Sequence, residues 1–316
     1  MIFAARGVLV SLAFFAIVYC PLSLLVVFAW RGIQRLGGVW AADSANFLFG
    51  LRMFPFAVSA LATLFFAFPS FWLLESAVVD EETATFILAL CSLVILGAGL
   101  FRVLRVQART TRAVAQWSMN PWPMKETGDA RNPLTPALNS SNGAPAVVLV
   151  GVRRPHVMIS DRAASVLNRD ELQVAVRHEL GHKRSWDNLK KILISATPFY
   201  GMGSIECSWQ EAAELAADDA AVATRLEALD LAAALIKISI SSQRWPKPLL
   251  AIELVSGSCS ISLRVRRLLQ WRTAGRHAQR SWRWSLPVLF TMFIGIACNY
   301  GATLVLTHRL TELLVP

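Results

Sequence analysis

The pentapeptide His178-Glu179-Leu180-Gly181-His182 sets two imidazoles four residues apart with a carboxylate beside the first. On a helix, residues i and i+4 stand one above the other, so both rings can reach one cation while Glu179 projects alongside. This is the chemistry of metal-assisted hydrolysis, with His178 and His182 as metal ligands and Glu179 as the catalytic base that takes a proton from water. A catalytic zinc site usually has three protein ligands and one open position. The residues after the motif, Lys183-Arg-Ser-Trp-Asp187, do not continue it as HExxHxxGxxH, so the third ligand must come from elsewhere. The best candidate lies in Glu211-Ala-Ala-Glu214-Leu-Ala-Ala-Asp218-Asp219, where Glu214 and Asp218 again share one helix face. Glu214 would bind the metal, and Asp218 would accept the second ring N–H of a ligand histidine and fix its tautomer. Asp219 competes for that orienting role, and the ExxxD spacing favours Asp218. Asp187 either orients the site or caps a helix. Tyr200, His156 and Arg264 are the candidates for stabilising an oxyanion.

Positioning these groups needs helices. Asn168-Arg-Asp-Glu171 has a capping residue three positions before a glutamate, and Leu172, Val174, Ala175 and Val176 follow, so a helix starts there and carries the motif. A second helix is expected from about Trp209 to Ala223 and a third from about Glu227 to Ile240. Ahead of them, Ala146-Val-Val-Leu-Val150 and His156-Val-Met-Ile-Ser160 read as two short strands, a hairpin or a neighbouring pair. The second run is either an edge on which an extended substrate can pair or an ordinary core strand. Residues 117–145, rich in Pro, Asn, Ser and Gly, read as a linker. The apolar stretch from Leu189 to Met202 is too short to span a bilayer and is interrupted by Pro198; it is expected to dip into the membrane surface or to pack beneath the site.

The rest of the composition belongs to a membrane. Of 316 residues, 55% are hydrophobic and only 16% charged, against about a quarter charged in an ordinary soluble domain. The apolar content excludes a disordered chain, and five cysteines without CxxC spacing exclude a disulfide scaffold. Four windows approach the ~20 apolar residues that a spanning helix needs: about 8–29, 53–74, 85–101 and 285–306. Arg31, Arg35 and Arg52 are assigned to the loop after the first window, whereas the loop after the second holds Glu75, Asp80, Glu81 and Glu82. Arg102, Arg105, Arg109 and Arg112 follow the third window, and seven arginines from Arg264 to Arg283 precede the fourth. Short cytoplasmic loops retain Arg and Lys, so both termini are expected outside and residues 103–283 in the cytoplasm. Much of the formal charge of +10 is then an orientation signal facing anionic lipid, and no direct nucleic-acid binding is expected. The divisions are 1–102 with three spans, 103–283 as one catalytic domain, and 284–316 with the fourth span and a short external tail.

His178-Glu-Leu-Gly-His182, Asp187, Glu214-Leu-Ala-Ala-Asp218 and the four-span plan resemble the integral-membrane gluzincin zinc peptidases of the BlaR/MecR antirepressor type. Leu263-Arg264-Val265 with Leu268-Leu269 is similar to the Arg-aliphatic segment that such peptidases carry before the last span. The resemblance implies a mainly α membrane protein with four transmembrane helices and a cytoplasmic α+β gluzincin-like metallopeptidase domain inserted between spans three and four. It implies Zn2+ as cofactor, the bacterial inner membrane as location, and a cytoplasmic or membrane-proximal protein substrate such as a transcriptional repressor. The antirepressor sensors carry an extracellular penicillin-binding domain after the fourth span, whereas here residues 308–316 follow. The related HtpX and CAAX-prenyl endopeptidases share the two motifs with a different arrangement of spans, which leaves a quality-control protease as an alternative. A non-catalytic signalling or scaffold protein is another. A transporter is disfavoured by the absence of charged residues within the four windows or of evident inverted repeats.

Overall fold

The structure is a computed structural model that describes residues 2–35, 44–74, 83–116, 118–121, 138–141, 147–152, 156–242, 261–271 and 300–314. Uninterrupted apolar sequence makes long helices: α1 spans Ile2–Arg35, and α4 spans Thr83–Gln116. Between them α2, Ala45–Ala62, continues through a π-helical turn, Thr63–Ala67, into α3, Phe68–Leu74. These form three helices long and apolar enough to cross a membrane. Most of the fourth expected window, residues 285–299, lies outside the described residues. The last described helix covers Tyr300–Leu314, so the segment from 307 to 314 continues a helix where a tail was expected. Tyr300 donates its hydroxyl to the Phe65 carbonyl, 3.0 Å away, within the π turn, where widening of the helix redirects backbone acceptors.

The remaining elements surround a four-stranded sheet. Strands β1 (Ser118–Pro121) and β2 (Leu138–Ser141) come from the stretch read as linker, and β3 (Val147–Val150) and β4 (His156–Ser160) from the two β runs. The order is β1-β2-β4-β3, with β2 parallel to β4 and the other pairs antiparallel. β4 is therefore an inner strand, its Val157, Met158 and Ile159 buried, so of the two alternatives the core strand holds and the substrate edge is corrected: the outer strands are β1 and β3. The two low-complexity strands of the linker were not legible because Asn, Ser and Pro carry no β pattern, and pairing with β4 supplies the order that propensity does not.

After β4 come α5 (Asp161–Val166), α6 (Arg169–Arg184), α7 (Asp187–Ala196), α8 (Gly203–Ala221), α9 (Arg225–Ser242) and α10 (Ile261–Leu269). Tyr300–Leu314 is α11. At the start of α6 both halves of the capping box form: Asn168 Oδ1 accepts from Glu171 N–H at 2.8 Å, and Glu171 Oε2 accepts from Asn168 N–H at 2.9 Å. Such a cap contributes about 1 kcal/mol and fixes where the motif helix begins. Leu149, Val157, Ile159, Val176 and Ala234 close a core between sheet and helices.

The turn between α7 and α8 packs into the apolar helices. Val26, Val27, Trp30 and Leu48 share one buried cluster with Ile194, Met202, Ile205 and Trp209. Arg52, expected in a loop, lies instead inside α2 and is 1% exposed. Its guanidinium donates to Thr197 O (2.5 Å), Ile194 O (3.4 Å) and Thr197 Oγ1 (3.2 Å), and its Nε to Glu206 Oε1 (2.8 Å). The carbonyls at a helix C-terminus have no partner within the helix, and Arg52 supplies one while neutralising Glu206. Tyr19 Oη adds contacts to Thr197 O and Pro198 O at 3.5 and 3.4 Å. A β-carbon at Gly99 of α4 would collide with the Ala196 carbonyl oxygen, so glycine is what lets this turn approach α4.

Candidate metal centre

α6 and α8 meet closely enough to bring their polar groups to one point. A β-carbon on Gly181 would lie 3.2 Å from Ala217 Cα, so the small residues at these two positions set the interhelical distance. On α6, His178 and His182 turn Nε2 toward each other at 3.2 Å. From α8, Glu214 brings Oε2 to 3.4 Å from His178 Nε2 and Oε1 to 3.5 Å from His182 Nε2. Ligands held about 2.0–2.1 Å from a tetrahedral ion lie about 3.3–3.4 Å from one another. The imidazole pair stands near that spacing, the Glu214 carboxylate reaches the two rings through different oxygens, and the His178-His182-Glu214 group could hold a metal ion. The histidine side chains are 9% and 10% exposed and Glu214 28%, so the group opens toward solvent on the Glu214 side.

A second layer orients the ligands. Asp187, the first residue of α7 and 3% exposed, approaches His182 Nδ1 with Oδ2 at 2.7 Å. Asp218 Oδ1 lies 3.0 Å from His178 Nδ1, a short contact that is not aligned as a hydrogen bond. Each ring thus faces the other two ligand groups through Nε2 and a carboxylate through Nδ1, which is how a ligand histidine is held in one tautomer. Asp218 and Asp219, which compete in sequence, point to different partners. Asp219 forms a two-point pair with Arg267 at 2.6 and 2.7 Å, away from the histidines.

Arg264, considered above for an oxyanion, is held by the acids of α8. Nε and Nη2 bind Asp218 at 2.8 and 2.6 Å, and Nη1 binds Glu214 Oε2 at 2.8 Å. Its Nη2 is also 3.5 Å from His178 Nε2. Tyr200 and His156 are not brought to the group. Tyr200 sits 97% exposed in the α7–α8 turn, and His156 opens β4 opposite Val150 with its side chain exposed.

Glu179 points along the edge of the sheet. Its Oε2 accepts from Leu149 N–H of β3 at 2.9 Å. Asn188 donates to Leu149 O at 3.2 Å and to Gly151 O at 3.0 Å, occupying the neighbouring acceptors of that edge. Asn188 was missed in the sequence because nothing in Asp187-Asn188-Leu189 distinguishes a strand-edge partner from a helix-start residue.

Charge in this cluster is tightly compensated. Burial works to lower the pKa of His178, but the Asp218 and Glu214 carboxylates beside it outweigh that and push the imidazole up to about 10. Burial works to raise Glu214, and His178, His182 and Arg264 together hold it well below the usual carboxylate range. Asp218 is lowered by the same balance, with His178 and Arg264 opposing burial. In the absence of a cation the site therefore keeps a proton on His178 at neutral pH, and a metal ion must displace it.

No family model matches the chain, and no curated protein matches it.

Proposed function

We propose that the protein is a membrane-embedded zinc endopeptidase. It hydrolyses peptide bonds of a cytoplasmic or membrane-proximal protein, with His178, His182 and Glu214 as zinc ligands and Glu179 as catalytic base. The observation that carries this reading is the meeting of two imidazole nitrogens 3.2 Å apart with the Glu214 carboxylate, whose Oε2 lies 3.4 Å from His178 and Oε1 3.5 Å from His182, with a glutamate next in sequence to the first histidine. His178, His182 and Glu214 would hold the zinc ion, which would supply polarisation of the scissile carbonyl and of the attacking water. Glu179 takes the proton from that water as the C–O bond forms, and returns it to the departing amine nitrogen as the C–N bond breaks. The hydrogen bond from Leu149 N–H holds its carboxylate beside the β3 edge. Asp187 and Asp218 keep the two imidazoles oriented throughout.

Four spans, external termini and a cytoplasmic catalytic domain remain part of the reading, supported by three apolar helices and the arginine distribution. The regulatory role and the repressor-type substrate rest on the resemblance alone.

One observation favours a second reading. Arg264 already bridges Glu214 and Asp218, so the cluster is charge-compensated without a cation, as in a non-catalytic scaffold that kept an ion-pair network. Metal analysis of protein purified without chelators separates the two: stoichiometric zinc supports the peptidase and its absence supports the scaffold. The deciding variant is Glu179→Gln. It is expected to lower cleavage at least ~10³-fold while retaining the metal; unchanged cleavage would overturn the mechanism.

A further inference from the structure

The α7 helix carries an apolar stripe that nothing in the described protein covers. Leu189 and Leu193 stand one turn apart on one face, 37% and 39% exposed, with Trp186 just before the helix at 61% and Tyr200 in the turn after it at 97%. The opposite face is occupied: Asp187 and Ile194 are buried, and Lys190 donates to Asn46 Oδ1 of α2 at 2.9 Å. The stripe adjoins α4, whose Leu100, Phe101 and Leu104 are 61%, 64% and 57% exposed near the end of its apolar run.

The turn's neighbours set its depth. Thr197 and Pro198 carbonyls touch Tyr19 Oη, and Gly201 abuts Val27, so the turn lies against the C-terminal half of the apolar run 8–29 of α1. The Thr197 and Pro198 carbonyls are met by Arg52 and Tyr19, as irregular backbone at membrane depth requires. Tyr200, projecting from that turn beside Val27 and Arg31, then faces lipid. At the other end of α7, about 15 Å away for ten residues, Trp186 sits in the left-handed region at φ 58°. That conformation is strained for a bulky residue, and here it presents an exposed indole beside Lys183 and Arg184, the amphipathic composition that favours a headgroup layer.

We propose that α7 and the turn after it are seated in one leaflet of the bilayer, the cytoplasmic one in the orientation above. Leu193 lies among acyl chains, Tyr200 against lipid and Trp186 among headgroups, and Lys183 and Arg184 face anionic lipid. Because Asp187 holds His182 at the Trp186 end, the metal group stands at the membrane surface. Resting on the peptidase reading, this names its substrate class: polypeptide segments that lie on, or emerge from, that surface. Free cytosolic chains are poorer substrates.

The full chain in vesicles of phosphatidylcholine and phosphatidylglycerol tests the seating. Nitroxide labels are attached at Leu193→Cys, Tyr200→Cys and, as a water-exposed control 74% accessible in α9, Leu226→Cys; unsubstituted protein provides the background from its own thiols. The ratio of oxygen to nickel-chelate accessibility is expected to be about tenfold higher at 193 and 200 than at 226. Ratios equal to that at 226, including a nickel-accessible, water-filled pocket at 200, would overturn it. Tyr200 touches little else, so its substitution does not threaten folding. Cleavage of casein is then compared with cleavage of casein carrying a single acyl anchor, in the same vesicles. An approximately tenfold gain in kcat/KM for the anchored form is expected, and equal rates would overturn the substrate class. If neither form is cut, the peptidase reading fails, while the accessibility ratios still decide the seating.

Discussion

Two buried arginines reach α8 from different parts of the chain, and their surroundings differ in kind. Arg52, inside an apolar helix, spends its hydrogen bonds on Glu206 and on the end of α7, where the partners are carbonyls, a hydroxyl and one acid. Arg264, from the amphipathic α10, binds Asp218 and Glu214, which themselves face two imidazoles. The first arginine ties the backbone at the end of α7 to α2 and α8. The second balances acids that a cation can also balance. One is therefore a fastening of the fold, and the other is a charge whose necessity depends on whether the site is filled.

Removing each arginine separates the roles. Arg52→Leu leaves the Thr197 carbonyl and Glu206 without their buried donor and is expected to cost about 3–5 kcal/mol, read by unfolding in detergent, with no recovery on adding zinc. Arg264→Gln is expected to cost about 2 kcal/mol in metal-free protein and clearly less with zinc bound, because the ion takes over compensation of Glu214 and Asp218. The melting shift produced by zinc should therefore be larger in Arg264→Gln than in the parent. An equal shift would mean that the ion and the arginine do not share those acids.

The two glycine contacts sharpen the same contrast at smaller amplitude. Gly99→Ala drives a methyl into backbone at the Ala196 carbonyl and is expected to destabilise by about 1–3 kcal/mol without changing metal affinity. Gly181→Ala meets Ala217 at 3.2 Å, an overlap of a few tenths of an ångström, and should cost about 1 kcal/mol. Its larger effect should be on metal titration, since moving α8 carries Glu214 away from the histidines.

The mildest perturbation is pH. The His178 imidazole, raised from 6.5 to about 10, is protonated in the metal-free site across neutral pH, whereas Glu214 and Asp218, both lowered, stay ionised. Zinc binding then releases one proton from His178, and apparent affinity should rise about tenfold per pH unit from pH 7 to 9. A flat profile, measured by competition with a chelator of known protonation, would place the proton elsewhere.

The helical parts of this picture were largely legible. The capping signal at Asn168-Glu171 marks the start of α6, and the spacings within His178–His182 and Glu214–Asp218 need only helical periodicity to put each pair on one face. The apolar runs read as helices too, although only composition separates a long run from its flanks; α1 and α4 extend well past the windows assigned to them. Less legible was anything made by a partner distant in sequence. Arg52 looked like a loop charge because its compensating groups lie at Ile194, Thr197 and Glu206, and Asn188 looked like a helix-start residue because its acceptors lie on β3.

The sequence by itself determined which candidate residues share one helix face and which helices carry them, because side-chain periodicity is a local property of the backbone. Only the tertiary structure decided that α6 and α8 approach through Gly181 and Ala217, that Asp218 rather than Asp219 faces His178, that Arg264 joins the acids, and that β4 is an inner strand. Those outcomes depend on packing between segments far apart in the chain, where contact distance and charge compensation act and periodicity carries no information.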